Sequence, residues 1–228
     1  MKRTIAVVVG ILAVVLTMTS LAQVANEGLA NGIIVARQKN AALLKQYNWN
    51  CRTDMTENGN LQDLRINLVN MGPDGTLQKQ LLSDQEGALP NGFLRKAAAE
   101  NKRKELEQYV GGVMALVEQY TLPNPGAVVN FLSTAQVQPV TTAGKTVLQI
   151  NGSNVITPGD TFSMTIDGQS LQPVSIQVNT FYNGDPVTIS GTFKSMKGGP
   201  NHLQYATVIA ATKNLSVAVH NFDYVLND

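Results

Sequence analysis

The stretch "YNWNCRTDMTENGNLQDLRINL", residues 47–68, decides how the rest of the chain is read. Tyr47, Trp49, Cys51 and Met55 fall on one side of an extended chain, and Asn48, Asn50, Arg52 and Asp54 on the other. A period of two marks a half-buried β-strand, because successive side chains of a strand point to opposite faces. Asn58-Gly59 supplies the two positive φ angles of a tight hairpin. Leu64, Ile66 and Leu68 then alternate against Arg65 and Asn67 as a second strand. The turn Gly72-Pro73-Asp74-Gly75 leads to a third, Leu77 to Leu82.

Around this meander the period changes. Upstream, residues 27–46 read as a helix with Leu29, Ile33, Ile34, Leu43 and Leu44 as its apolar positions, weakened early by Gly28 and Gly32. Downstream, residues 93–120 carry Leu106, Tyr109, Val110, Val113, Leu116, Val117 and Tyr120 at spacings of three and four, one broad apolar stripe. Gly111-Gly112 interrupts that stripe, which implies close approach to a sheet or a hinge. Asn124-Pro125 reads as the cap and first position of a short helix reaching about Ser133.

From Val137 onward every segment is rich in Val, Ile, Thr and aromatics. The segments 145–150, 161–167, 171–182, 187–196, 203–212 and 215–226 are separated by turn dipeptides such as Asn151-Gly152, Asp167-Gly168 and Asn183-Gly184. Short connections of this kind specify an antiparallel up-and-down meander. In the last segment the apolar phase shifts between Val217-Val219 and Phe222-Tyr224, which implies a bulge near His220. The long helix needs a sheet to cover, so both strand groups are expected in one. The expected fold is α+β: a curved antiparallel sheet of roughly nine to eleven strands, an open half-barrel, with a few helices on its concave face. Residues 23–228 are expected to form a single domain, comprising helix 27–46, meander 47–82, helical insertion 93–133 and meander 137–228.

The first residues point to export. Lys2 and Arg3 precede an apolar run from Ile5 to Met18, and Ser20-Leu21-Ala22 offers small residues at the positions a signal peptidase reads. Cleavage between Ala22 and Gln23 is the expectation, with an uncleaved anchor as the alternative. Either places the remainder outside the cytoplasm, in the periplasm or beyond. Without Lys2 and Arg3, 15 of the 17 Lys and Arg stand against 16 Asp and Glu, a balance that recruits no nucleic acid. A single cysteine forms no internal disulfide, so the core alone must hold the fold.

Candidate chemistry is sparse. His202 and His220 have no carboxylate or cysteine at ligand spacing, so no metal or other cofactor is expected. Cys51 shares its face with Trp49, Thr53 and Met55, surroundings that raise a thiol's pKa and make it inert. Asp74, Asp160, Asp167 and Asp185 occupy turns, where Asp shapes backbone. Arg95, Lys96, Lys102, Arg103 and Lys104 make the start of the long helix basic, which suits anionic lipid head groups or an acidic partner, diluted by Glu100, Glu105 and Glu107. No acid, base and nucleophile constellation stands out, and no enzyme is expected.

The order of elements, with "LLKQYNWNCRTDMTENG" at 43–59, resembles the half-barrel superfamily of the periplasmic lipoprotein carrier LolA, its acceptor LolB and the sensor RseB. "DGTLQKQLL" at 74–82, and the stretch from "TPGDTFSMTID" at 157–167 to "VAVHNFDYVL" at 217–226, are similar to exported bacterial proteins placed near that group. The carrier's partner-facing residues find no match, so none is carried over. The resemblance implies a lipid or lipoprotein carrier. The apolar inner face gives the same expectation physically: a groove lined by residues such as Trp49, Ile66 and Phe193, holding a lipid or another hydrophobic ligand without a catalytic group. The alternative is an envelope structural or regulatory protein with a filled core that binds another envelope protein.

Overall fold

A computed structural model describes residues 26–86, 93–121, 124–142 and 144–227, with backbone alone for 86, 93–99 and 142. The Ala22-Gln23 cleavage point lies outside the described residues. Helix α1 covers 26–44, and the strands β1 (Tyr47–Glu57), β2 (Asn60–Met71) and β3 (Leu77–Glu86) follow. Helices α2 (Phe93–Thr121) and α3 (Pro125–Thr134) come next. The chain then meanders through β4 (Gln136–Thr142), β5 (Lys145–Ser153), β6 (Thr161–Asp167), β7 (Pro173–Tyr182), β8 (Asp185–Ser195), β9 (Asn201–Ala210) and β10 (Leu215–Leu226).

All ten strands join one open antiparallel sheet, in the order β3-β2-β1-β10-β9-β8-β7-β6-β5-β4. The two meanders meet where β1 pairs with β10, so the first and last strands sit side by side and β3 and β4 form the free edges. Three helices and this unclosed curved sheet make the α+β half-barrel expected from the alternation pattern. Two of the dipeptides read as turns adopt left-handed backbone throughout, Asn58 and Gly59 at φ 51° and 76° and Asn183 and Gly184 at 51° and 83°, whereas Asn151-Gly152, also read as a turn, lies within β5 and pairs with Ser163 and Phe162. Helix α3 starts as its residues dictate, with Asn124 Oδ1 accepting from the Ala127 N–H at 2.9 Å and Pro125 in the first turn.

One face of the sheet is apolar because its cross-strand partners are. Met55, Val217, Val208, Ile189, Val178 and Phe162 are successive register partners from β1 across β10, β9, β8 and β7 to β6, and all six are buried. Burial of each such side chain contributes about 1.5–3 kcal/mol. Upon this row lie Val113, Leu116, Val117 and Tyr120 of α2, Val128, Phe131 and Leu132 of α3, and Ala30 and Ile33 of α1. Gly152 continues the row on β5, where a Cβ would strike the Phe131 ring; its absence lets Phe131 meet Phe162 edge-on at 5.0 Å. Gly112 serves α2 in the same way. A side chain there would collide with the Tyr182 ring, whereas Gly111 faces open space, so close approach accounts for one glycine of the pair.

Two expectations change. The phase shift in the last strand is centred at Asp223, not His220: Asp223 takes φ 53°, and the register slips opposite Asn48 and Asn50. Up to Asn221 the alternation holds, and the extra residue returns Tyr224 to the inner face while leaving Phe222 opposite Asn50 on the outer one. The apolar row of β2 also points the other way. Cys51 pairs with Asn67 and Trp49 with Val69, so Leu64, Ile66 and Leu68 share the face of Asp54, Arg52 and Asn50. Alternation identified the strand, but two apolar sets of opposite phase, Leu64-Ile66-Leu68 and Val69-Met71, left its orientation open, and the register decided for Val69.

Candidate functional site

The inner face has a packed part and an unsealed part. Beneath α2 and α3 the side chains fill the space: Leu132, Ile150 and Val178 are fully enclosed. Polar locks hold this end. The carboxylate of Asp160 accepts from the backbone N–H groups of Val155, Ile156 and Thr157 at 2.7, 2.8 and 2.8 Å, and from the Tyr120 hydroxyl of α2 at 2.6 Å. Tyr120 is also hydrogen-bonded to Thr180 at 2.9 Å. Burial alone would raise the Asp160 carboxyl, but these donors outweigh it and hold its pKa below the usual value. Burial, and then the bond to Asp160, push Tyr120 up to about 12.

Helix α1 is pinned across the other ends of the strands. Asn40 brackets the backbone of Asn201, donating to its carbonyl and accepting from its N–H, both at 2.7 Å. Gln172 donates to the Ala36 carbonyl at 3.0 Å. The helix ends over a second, smaller cluster of Trp49, Cys51 and Val69, against which Leu44, Val219 and Tyr224 pack. Trp49 stacks on Tyr224 with ring centroids 5.3 Å apart and planes within 13°. Cys51 is buried here, its thiol pushed up by burial, with Thr53 Oγ1 4.0 Å away. That is the environment of a packing residue and not of a nucleophile.

Between the two clusters the apolar surface is incompletely covered. Ile34 of α1, Leu106, Val110 and Met114 of α2, and Phe193 and Val219 of the sheet are only partly buried, and Val219 touches both clusters. Past Val69 the inner face runs to the free edge. Leu81 pairs with Asn67 and Leu77 with Met71, which places both leucines on the face of Cys51 and Val69, yet they are 53% and 42% exposed. Apolar residues of this face thus extend from Phe193 and Val219 through the Trp49 cluster to Val69, and Leu77 and Leu81 continue them on the edge strand on either side of Lys79, the partner of Val69.

Of the residues expected to line a groove, Phe193 is half-buried on this stretch and Trp49 is 5% exposed within its floor. Ile66 does not join them: it sits opposite Arg52 on the outer face. Leu77 and Leu81 belong to the site and were missed, because their alternation in "LQKQLL" reads as a strand without showing that both stay exposed among the described residues. The basic start of α2 is partly neutralised, since Lys102 pairs with Glu57 of β1 at 3.0 Å. The side chains of Arg95 and Lys96 lie outside the described residues, and Lys104 is exposed. Among the described residues no three His, Cys, Asp or Glu side chains gather as a metal site would require, and no helix is long and apolar enough to cross a membrane.

The sheet, its register and its helical cover define the class of protein, an open half-barrel with helices over its apolar face. No family model matches the chain, and no curated protein matches it in sequence. Among solved structures it is similar to a DUF1329 family protein from Desulfovibrio piger, with a TM-score of 0.45 and 6% identity over 88% of this chain and 92% of that one. It is also similar to a LolA superfamily protein from Nitrosomonas europaea, with a TM-score of 0.33 and 10% identity over 85% of this chain and 93% of that one. At these identities the likeness is one of fold and transfers no residue or ligand.

Proposed function

We propose that this is an exported, non-enzymatic binding protein that holds an acyl chain or another hydrophobic ligand on the inner face of its half-barrel. The seat is the stretch from Phe193 and Val219 to Leu77 and Leu81. The observation that carries this reading is the pair of exposed leucines on the same face as a buried aliphatic and aromatic cluster, with no described element laid over them. Transfer of an acyl chain onto such a surface supplies about 0.8 kcal/mol per CH₂ and needs no reacting group. The filled core beneath α2 and α3 removes the sealed pocket of the simplest carrier, so the ligand lies along the sheet towards β3 instead of under the long helix.

A second reading rests on the same packing. With its core filled and β3 free to accept a strand, the protein binds the apolar segment of another envelope protein. Native mass spectrometry with lipid extraction, on protein purified from its own envelope, separates the two. The first reading expects a co-purified lipid; a lipid-free protein that retains a polypeptide partner supports the second.

A further inference from the structure

The face turned away from the helices is polar in a regular way between β5 and β9. Its cross-strand partners form two parallel rows. One runs Arg52, His220, Tyr205, Thr192, Ser175, Thr165 and Gln149 from β1 to β5. The next runs Ala218, Thr207, Ser190, Gln177, Ser163 and Asn151. Between β5 and β9 these rows line a trough of about 490 Å³, within the range of ligand sites, and none of its 14 lining residues is charged.

At the β9 end the trough meets an aromatic ladder. Tyr205, 49% exposed, stacks on His220 with centroids 4.6 Å apart, and His220 stacks on Phe222 at 5.2 Å. Arg52, at the β1 end of the first row, is turned into an ion pair with Asp54 at 2.9 Å. We propose that this outer face is a binding site for a neutral glycan chain, with Tyr205 as the stacking platform and the hydroxyl and amide rows as the polar wall.

The chemistry matches on three counts. A pyranose presents an apolar C–H face, which an exposed tyrosine ring covers while keeping its hydroxyl wet. Its equatorial hydroxyls both donate and accept, as do Ser, Thr, Asn and Gln, whereas charged side chains would have to be desolvated. Strands stand about 4.8 Å apart, so the row from β5 to β9 extends about 19 Å and offers a hydroxyl or amide at each strand to successive sugar units. Cross-strand bonds hold that wall in place: Ser190 with Thr207 at 2.6 Å, and Ser163 with Asn151. This site is on the opposite side of the sheet from the apolar stretch, so its loss leaves acyl binding intact.

The test is titration of the purified protein with cellohexaose, chitohexaose and maltohexaose, followed by ligand-observed NMR. At least one hexasaccharide should bind saturably. Tyr205→Ala should weaken that binding at least about tenfold, and the double variant Gln177→Ala/Thr192→Ala should also weaken it severalfold. All three residues are on the sheet surface, so circular dichroism and the melting temperature should be unchanged. Binding of none of the three sugars, or binding that survives Tyr205→Ala in the folded protein, overturns the proposal.

Discussion

Trp49 of β1 and Tyr224 of β10 lie ring against ring, 5.3 Å apart, and with Leu44 and Val219 they tie the end of α1 to the seam where the two meanders join. Trp49→Ala should therefore cost about 3–5 kcal/mol in urea unfolding, the range for emptying a buried aromatic site. Ile66→Ala, on the outer face opposite Arg52, should cost less than about 1 kcal/mol. Equal losses would mean that the β2 register is wrong by one residue.

The lock between Asp160 and Tyr120 predicts both a mutational and an acid response. Asp160→Ala removes the acceptor of three backbone N–H groups and a hydroxyl, and should destabilise by at least about 3 kcal/mol. The folded pKa of Asp160 lies below its ordinary 3.8, so its contribution is present above that value and is lost as pH falls through the folded pKa. His202 acts earlier. Burial lowers its pKa from 6.5, so its neutral form favours folding above pH 6.5 and that advantage shrinks as pH drops below it. Stability measured against pH should decline gently below 6.5 and steeply below about 4. Asp160→Asn should remove part of the acid step and His202→Phe the earlier slope.

The two glycines of α2 should answer oppositely to alanine. Gly111 faces open space, so Gly111→Ala should stabilise by about 1 kcal/mol through helix propensity. Gly112→Ala drives a methyl into the Tyr182 ring and should destabilise, with a lower melting temperature as the readout.

Cys51 should behave as a core atom. In the native protein its buried thiol, held above the usual range, should resist a disulfide reagent until denaturant is added. Cys51→Ser buries a hydroxyl and should cost about 1–3 kcal/mol while leaving ligand binding in place.

The sheet was legible because alternation and turn chemistry agree at nearly every connection: Asn58-Gly59 and Asn183-Gly184 need no tertiary help to turn. Helix α3 was legible for the same reason, in Asn124 and Pro125. The direction of β2 was not, since its two apolar sets were of opposite phase and only pairing with β1 selected Val69 over Ile66. Nor was the site, because the exposure of Leu77 and Leu81 depends on what packs against β3, a property of the whole fold. The ends of strands moved too. Asn214 takes a left-handed φ of 48° after the 3-10 turn Ala211–Lys213, which ends β9 at Ala210 rather than at residue 212.

The chain's one tryptophan stands in the floor of the proposed seat, so it can report the ligand itself. The most direct test is quenching of Trp49 fluorescence by a dibrominated fatty acid, which acts only at close range. The account predicts saturable quenching in the native protein and its loss in Leu81→Glu, a substitution at an exposed site that leaves the fold intact. No quenching, or quenching that Leu81→Glu leaves unchanged, would contradict it.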